Sequence, residues 1–231
     1  MTTRTNFIAP DYGRSFGLWR AQCPGPWHDY THHPFVEGMK DGTLPKSAFM
    51  AYLRQDYLFL IHFSRAWSLA VVKAGSLAEM QAASATVHAL LHFEMALHVR
   101  ICEAEGISKA ELEAAEEAPA NMAYTRYVLE AGFSGDFLDL LAALAPCIMG
   151  YGEIGARLMH EAGETPYRNW IETYGGDEFQ QLCRDTGALI DRAVVDRLGT
   201  APEMSPRWPS LRRHFANATR LEIGFWGLGQ A

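Results

Sequence analysis

Between Leu140 and Leu158 the apolar positions recur as Leu140, Ala143, Leu144, Cys147, Tyr151, Ile154 and Leu158. This is the i, i+3, i+4, i+7 spacing of one helix face. The segment predicts a buried helix, with Cys147 pointing inward and Tyr151 beside it at i+4. Taken alone, an inward cysteine reads as a small core hydrophobe.

The remaining long segments read as helix too. Pro24, Pro26 and Pro34 break the N-terminal part into short pieces. Pro45 opens a long run ending near Ala74, with Gly75 as its stop. Ser76 caps a second run, read as one helix to about Glu105. Ser108-Lys109-Ala110-Glu111 is a capping box. A helix covers roughly 118–131, and Ser134 and Gly135 precede the Cys147 helix, which ends near Gly163. Thr165-Pro166 starts a short helix leading into a bend at Thr173-Tyr174-Gly175-Gly176. Asp177 is read as the cap of a helix to about Leu198, and Pro206 or Pro209 opens the last one. No run of strict alternation predicts a strand. The expectation is an all-α, single-domain helical bundle spanning 1–231, with 1–24 as a variable N-terminal extension.

Composition narrows the partners. A formal net charge of −7 without a basic run argues against a nucleic-acid groove. No apolar stretch is read as long enough to cross a membrane. Met1-Thr2-Thr3-Arg4-Thr5-Asn6 is not followed by a signal core, so a cytoplasmic protein is expected. The four cysteines, Cys23, Cys102, Cys147 and Cys183, are far apart, as free thiols in a reducing compartment are. A zinc deaminase needs Pro-Cys-x-x-Cys, but Gly150 stands where the second cysteine belongs. A di-iron bundle needs Glu-x-x-His; Glu94 and His98 are instead four apart. No metal or cofactor is expected.

Ionisable residues interrupt the apolar faces. Asp56 has Tyr52, Leu53, Phe59, Leu60 and Phe63 as its helical neighbours, and Glu222 has Phe215, Ala218, Phe225 and Trp226. A carboxylate on such a face must be paired or hydrogen-bonded. The plain alternative for each is a structural ion pair. Tyr124, Tyr151 and Tyr174 are read as inward or near bends. A thiol, two carboxyls and several phenols in one bundle interior point to a ligand pocket.

These residues fall in an ordered series of motifs. They are His33-Pro34-Phe35-Val36-Glu37-Gly38-Met39-Lys40-Asp41-Gly42-Thr43-Leu44-Pro45, Gln55-Asp56-Tyr57 with Leu60-Ile61-His62-Phe63, and Glu94-Met95-Ala96-Leu97-His98. Leu144-Ala145-Pro146-Cys147 with Tyr151-Gly152-Glu153-Ile154-Gly155, Trp170-Ile171-Glu172-Thr173-Tyr174-Gly175-Gly176-Asp177 and Glu222-Ile223-Gly224-Phe225-Trp226 follow. The series, over about 25–228, resembles the TenA proteins, or thiaminase II. The resemblance implies a haem-oxygenase-like fold without haem, assembled as a homotetramer. It implies hydrolysis of 4-amino-5-aminomethyl-2-methylpyrimidine to the hydroxymethyl compound and ammonia, and cleavage of thiamin. It casts Cys147 as nucleophile, Asp56 as the residue holding the pyrimidine's amidine edge, Glu222 as the acid for the leaving group, and Tyr124, Tyr151 and Tyr174 as pocket residues. Phe59 stands where some members carry a tyrosine that assists the cysteine. The rival readings are an oxidase on the same fold, cofactor-free or di-metal, and a non-catalytic regulatory protein.

Overall fold

The computed structural model describes residues 7–230; residues 1–6 of the expected extension lie outside them. Three short helices, α1 (Arg14–Ala21), α2 (Pro24–Thr31) and α3 (Pro34–Asp41), open the chain, α2 and α3 each with proline at its start. Long helix α4 runs Lys46–Lys73 from Pro45. Then come α5 (Leu77–Ala89), α6 (Met95–Ala104), α7 (Lys109–Glu113), α8 (Pro119–Ser134) and α9 (Phe137–Glu161). Helices α10 (Arg168–Gly175), α11 (Asp177–Leu198) and α12 (Trp208–Trp226) close the bundle. The described residues form no strand, as the sequence predicts.

Helix α9 is the axis, with α12, α10, α8 and α11 around it, while α4 carries α5, α6 and α8. Its start is fixed by a capping box. Asp136 accepts from the amides of Leu138 and Asp139 at 2.9 and 3.3 Å, and Asp139 accepts from the Asp136 amide at 2.9 Å. Arg207 then ties both carboxylates to α12, at 2.9 and 2.8 Å. By length and composition α9 is apolar enough to cross a membrane, contrary to the sequence reading. Nearly all of it is buried inside the bundle, where an all-round apolar helix belongs.

Glycines let other elements approach this axis. A Cβ on Gly155 would overlap the Tyr174 backbone, and one on Gly175 the Gly155 backbone. The two helices therefore cross almost in backbone contact, which brings Tyr174 to 5.0 Å from Tyr151, ring centre to ring centre.

Two sequence expectations change. Asp177 begins α11, but Gly176 is its cap residue. The run expected from Ser76 to Glu105 is not one helix. Ser76 does cap it, accepting from the Glu79 amide at 3.2 Å, but a π-helical turn over Leu90–Glu94 separates α5 from α6. A π turn holds one residue more than an α turn, so every side chain after it is re-aimed. His98 is thereby buried against α4, with Nε2 2.7 Å from the Leu53 carbonyl oxygen.

Candidate active site

Every residue of α9 from Phe137 to Gly155 is buried except Cys147. Its thiol opens onto a narrow chamber also lined by Asp56, Phe59, Glu94, Tyr151 and Tyr174. Among the described residues no lysine or arginine lines the chamber. A wider groove of about 620 Å³ continues from it between the π turn with α6 on one side and α10 with α11 on the other.

Asp56 is 4% exposed on α4. Its Oδ2 lies 3.4 Å from His98 Nδ1, and the Tyr52 hydroxyl is within hydrogen-bonding reach. Because His98 Nε2–H donates to Leu53, Nδ1 is left to face the carboxyl. Burial pushes the Asp56 carboxyl up to about 7 and pushes His98 down. Both shifts favour the uncharged pair, with the proton on Asp56 turned toward Nδ1. The structural partner that the sequence left open is thus a histidine rather than a permanent cation.

Glu222 and Tyr124 occupy a different position from the other candidates. Both are about 1% exposed and neither lines the chamber. The Tyr124 hydroxyl donates to Glu222 Oε1 at 2.8 Å, and the Tyr30 hydroxyl is also within reach of the carboxyl. Among the described residues no arginine pairs with Glu222, contrary to the ion pair of the plain alternative. Burial raises Glu222 to about 8, against the Tyr124 hydrogen bond, which lowers it.

The Cys147 thiol is pushed well above its usual range, first by burial and then by the nearby charges of Glu222, Asp56 and Glu94. It rests protonated near neutral pH. Of the charges that act on it, Glu222 weighs most. A carboxyl titrating near neutrality can both take and return a proton.

Aromatic rings build the walls. Tyr151 stacks on Trp226 at 5.2 Å and meets Tyr174 edge-on. Phe59 packs at 5.2 Å from Tyr124, so its ring holds that phenol in place without offering a hydroxyl of its own. The Trp170 indole N–H donates to the Tyr52 hydroxyl at 3.2 Å. Rings locked against one another in this way make a rigid apolar wall, which suits a planar ligand and excludes water.

Cys147, Asp56, Phe59, Tyr151 and Tyr174 are therefore brought to one chamber, while Glu222 and Tyr124 back it. Sequence reasoning passed over Tyr52, His98 and the chamber position of Glu94. Tyr52 was within reach, standing at i−4 from Asp56. The other two depend on the π turn. Among the described residues no three His, Cys, Asp or Glu side chains are placed to hold a metal ion.

The chain matches the TENA/THI-4/PQQC family over residues 20–230. It is 37% identical over 226 residues to a Halalkalibacterium halodurans protein named aminopyrimidine aminohydrolase, covering 96% of this chain and 95% of that one. A solved structure from Silicibacter sp. TM1040, described as a TenA family transcription regulator, is 59% identical with a TM-score of 0.93, covering 94% of this chain and 97% of the other. A Shewanella denitrificans domain described as having a haem-oxygenase-like fold superposes with a TM-score of 0.71 at 11% identity, over 93% and 91% of the two chains. The fold is thus the haem-oxygenase-like helical bundle, and the chain belongs to the TENA/THI-4/PQQC family.

Proposed function

We propose that this protein is a cofactor-independent hydrolase of thiamin salvage. It replaces the amine of 4-amino-5-aminomethyl-2-methylpyrimidine by hydroxyl, releasing ammonia, and it cleaves thiamin at the same methylene. The observation that carries this reading is the thiol of Cys147. It is the one accessible residue in an otherwise buried helical stretch, and it shares its chamber with the Asp56 carboxyl. The name of the Halalkalibacterium relative supports the same reaction class.

The residues supply a balanced sequence. Asp56, protonated at rest, gives its proton to a ring nitrogen and holds the cationic amidine edge by charge-assisted hydrogen bonds. The sulfur of Cys147 adds to an electron-poor ring carbon while the thiol proton passes to Glu222. The C–N bond to the amine then breaks, pushed by the ring electrons, and Glu222 returns that proton to the departing nitrogen. Water adds to the exocyclic methylene and gives a proton to Glu222. The C–S bond breaks, the sulfur recovers its proton from Glu222, and the ring returns its own to Asp56. Tyr151, Tyr174 and Phe59 flank the ring, and Tyr124 orients Glu222.

The protein is further proposed to act in the cytoplasm as a D2 homotetramer. Its free cysteines fit a reducing compartment. Exposed Leu91, Phe93 and Leu97 (49, 66 and 36%) offer apolar surface for assembly. A monomer in light scattering at micromolar concentration refutes the assembly. Steady-state assay of ammonia release from the aminomethylpyrimidine, run beside thiamin cleavage, tests the activity. No turnover of either compound removes the reading.

A further inference from the structure

The chamber and the outer groove meet at a neck. The residues that line both are Asp56, Ala89, Glu94, Tyr174, Phe179 and Leu182. Anything that is larger than the chamber and is held inside at one end must pass this neck. Glu94 comes from the π turn on one side of it. Tyr174 and Phe179 come from α10 and α11 on the other, their rings edge-on at 4.9 Å.

Glu94 stands out chemically. Among the described residues it makes no hydrogen bond and no ion pair. Its electrostatic neighbour is another carboxyl, Asp56, and burial followed by that charge raises it to about 7. A carboxyl placed at an entrance without any partner is a cost to the fold unless a ligand supplies one. The neck has no basic residue to do so. Its other walls are aromatic faces, which attract cations. A π turn inserted where a regular helix was expected is a frequent mark of a functional position.

Size decides which part of a ligand meets Glu94. A pyrimidine with its methylene, held at Asp56 and Cys147, sits within the chamber. A small amine on that methylene stays inside with it, whereas a second heteroaromatic ring has to extend through the neck. We propose that Glu94 is the specificity-determining carboxylate for substrates whose leaving group is a permanently cationic heteroaromatic ring, which it binds between itself and Tyr174 and Phe179. This rests on the proposed pyrimidine chemistry at Cys147 and assigns the residue that discriminates between its two kinds of leaving group.

The test is Glu94→Gln in the full-length protein, with thiamin as the cationic-ring substrate and the aminomethylpyrimidine as the small one. Loss of a charge-assisted contact of this kind corresponds to about 10- to 150-fold. The expected result is a rise of that size in KM for thiamin, with kcat little changed, and a clearly smaller change in KM for the aminomethylpyrimidine. Amine hydrolysis also reports that the variant is folded. Glu94→Asp, which keeps the charge, should recover part of the thiamin KM. Equal losses on both substrates, unchanged KM for thiamin, or failure of Glu94→Asp to recover any of it overturns the proposal. A wild-type protein that hydrolyses the amine but does not bind thiamin overturns it as well, and leaves the amine chemistry standing. Wild-type protein inactive on both compounds overturns the underlying reading instead.

Discussion

The Tyr124 hydroxyl and the Glu222 carboxyl meet at 2.8 Å in the core, near enough to the Cys147 thiol for the carboxyl's charge to act on it. Glu222 is the charge that most raises the Cys147 thiol. Its first duty in the proposed chemistry is therefore to the sulfur's proton, and its second to the leaving group. Glu222→Gln preserves shape and removes both. Thiol activation is lost for either substrate. The amine needs a further proton, whereas the thiazolium nitrogen leaves as a neutral ring without one. Amine hydrolysis should fall by about 10²- to 10⁴-fold, and thiamin cleavage by less, in parallel kinetics. Equal losses confine Glu222 to the thiol; no loss removes it from the site.

Cys147→Ser should abolish turnover while melting within about 1 kcal/mol of wild type, because the change is small and the position is partly open to the chamber. Hydrolysis near the wild-type rate would exclude Cys147 as nucleophile.

Asp56→Asn still accepts a hydrogen bond but cannot protonate the ring or balance its charge. Binding of 4-aminopyrimidines, followed by calorimetry, should weaken by about 10- to 150-fold, with turnover slowed as well. Unchanged affinity and rate would leave Asp56 only its contact with His98.

Three carboxyls also set how stability responds to pH. All are raised by burial, Asp56 from 3.8 to about 7, Glu94 from 4.5 to about 7 and Glu222 from 4.5 to about 8. Between those limits the folded state binds more protons than the unfolded one, so rising pH destabilises it. The contribution is fully present below about pH 4 and is lost as pH passes through 7 to 8. Ligand-free protein should melt several degrees lower at pH 8.5 than at pH 6, by roughly the scale expected for a chain this size. Asp56→Asn and Glu222→Gln should each flatten that slope; a wild-type melting temperature flat across this range contradicts the assignment.

Gly155→Ala places a Cβ into the Tyr174 backbone. The overlap cannot be relieved by a rotamer change, so about 1–3 kcal/mol of stability should be lost. Activity should drop too, since Tyr174 is displaced from Tyr151. Urea melts and rates on the same preparation check both.

The long helices were legible because their signals are local. Pro45 and Gly75 bracket α4, and Ser108 with Glu111 forms the capping box of α7 in the structure as in the sequence. Cys147, Asp56 and Glu222 were legible as polar residues on apolar faces. Their relative depth was not. Periodicity says that a side chain points inward, but not whether it meets a cavity, as Cys147 does, or a buried hydroxyl, as Glu222 does. The Asp56–His98 contact was beyond reach for another reason. It depends on one extra residue in the turn Leu90–Glu94, and helical spacing across 76–105 carries no mark of that insertion.

The protonated state of the Cys147 thiol has a consequence for the life of the protein between turnovers. Oxidants and alkylating agents attack thiolates, not thiols. A sulfur surrounded by apolar rings and three carboxyls, with no fixed cation in its chamber, is chemically dormant however open its doorway. In the proposed chemistry, reactivity arrives with a ligand that brings positive charge into the chamber while Glu222 takes the thiol proton. The lack of basic residues that leaves the empty site unreactive thus serves as its protection.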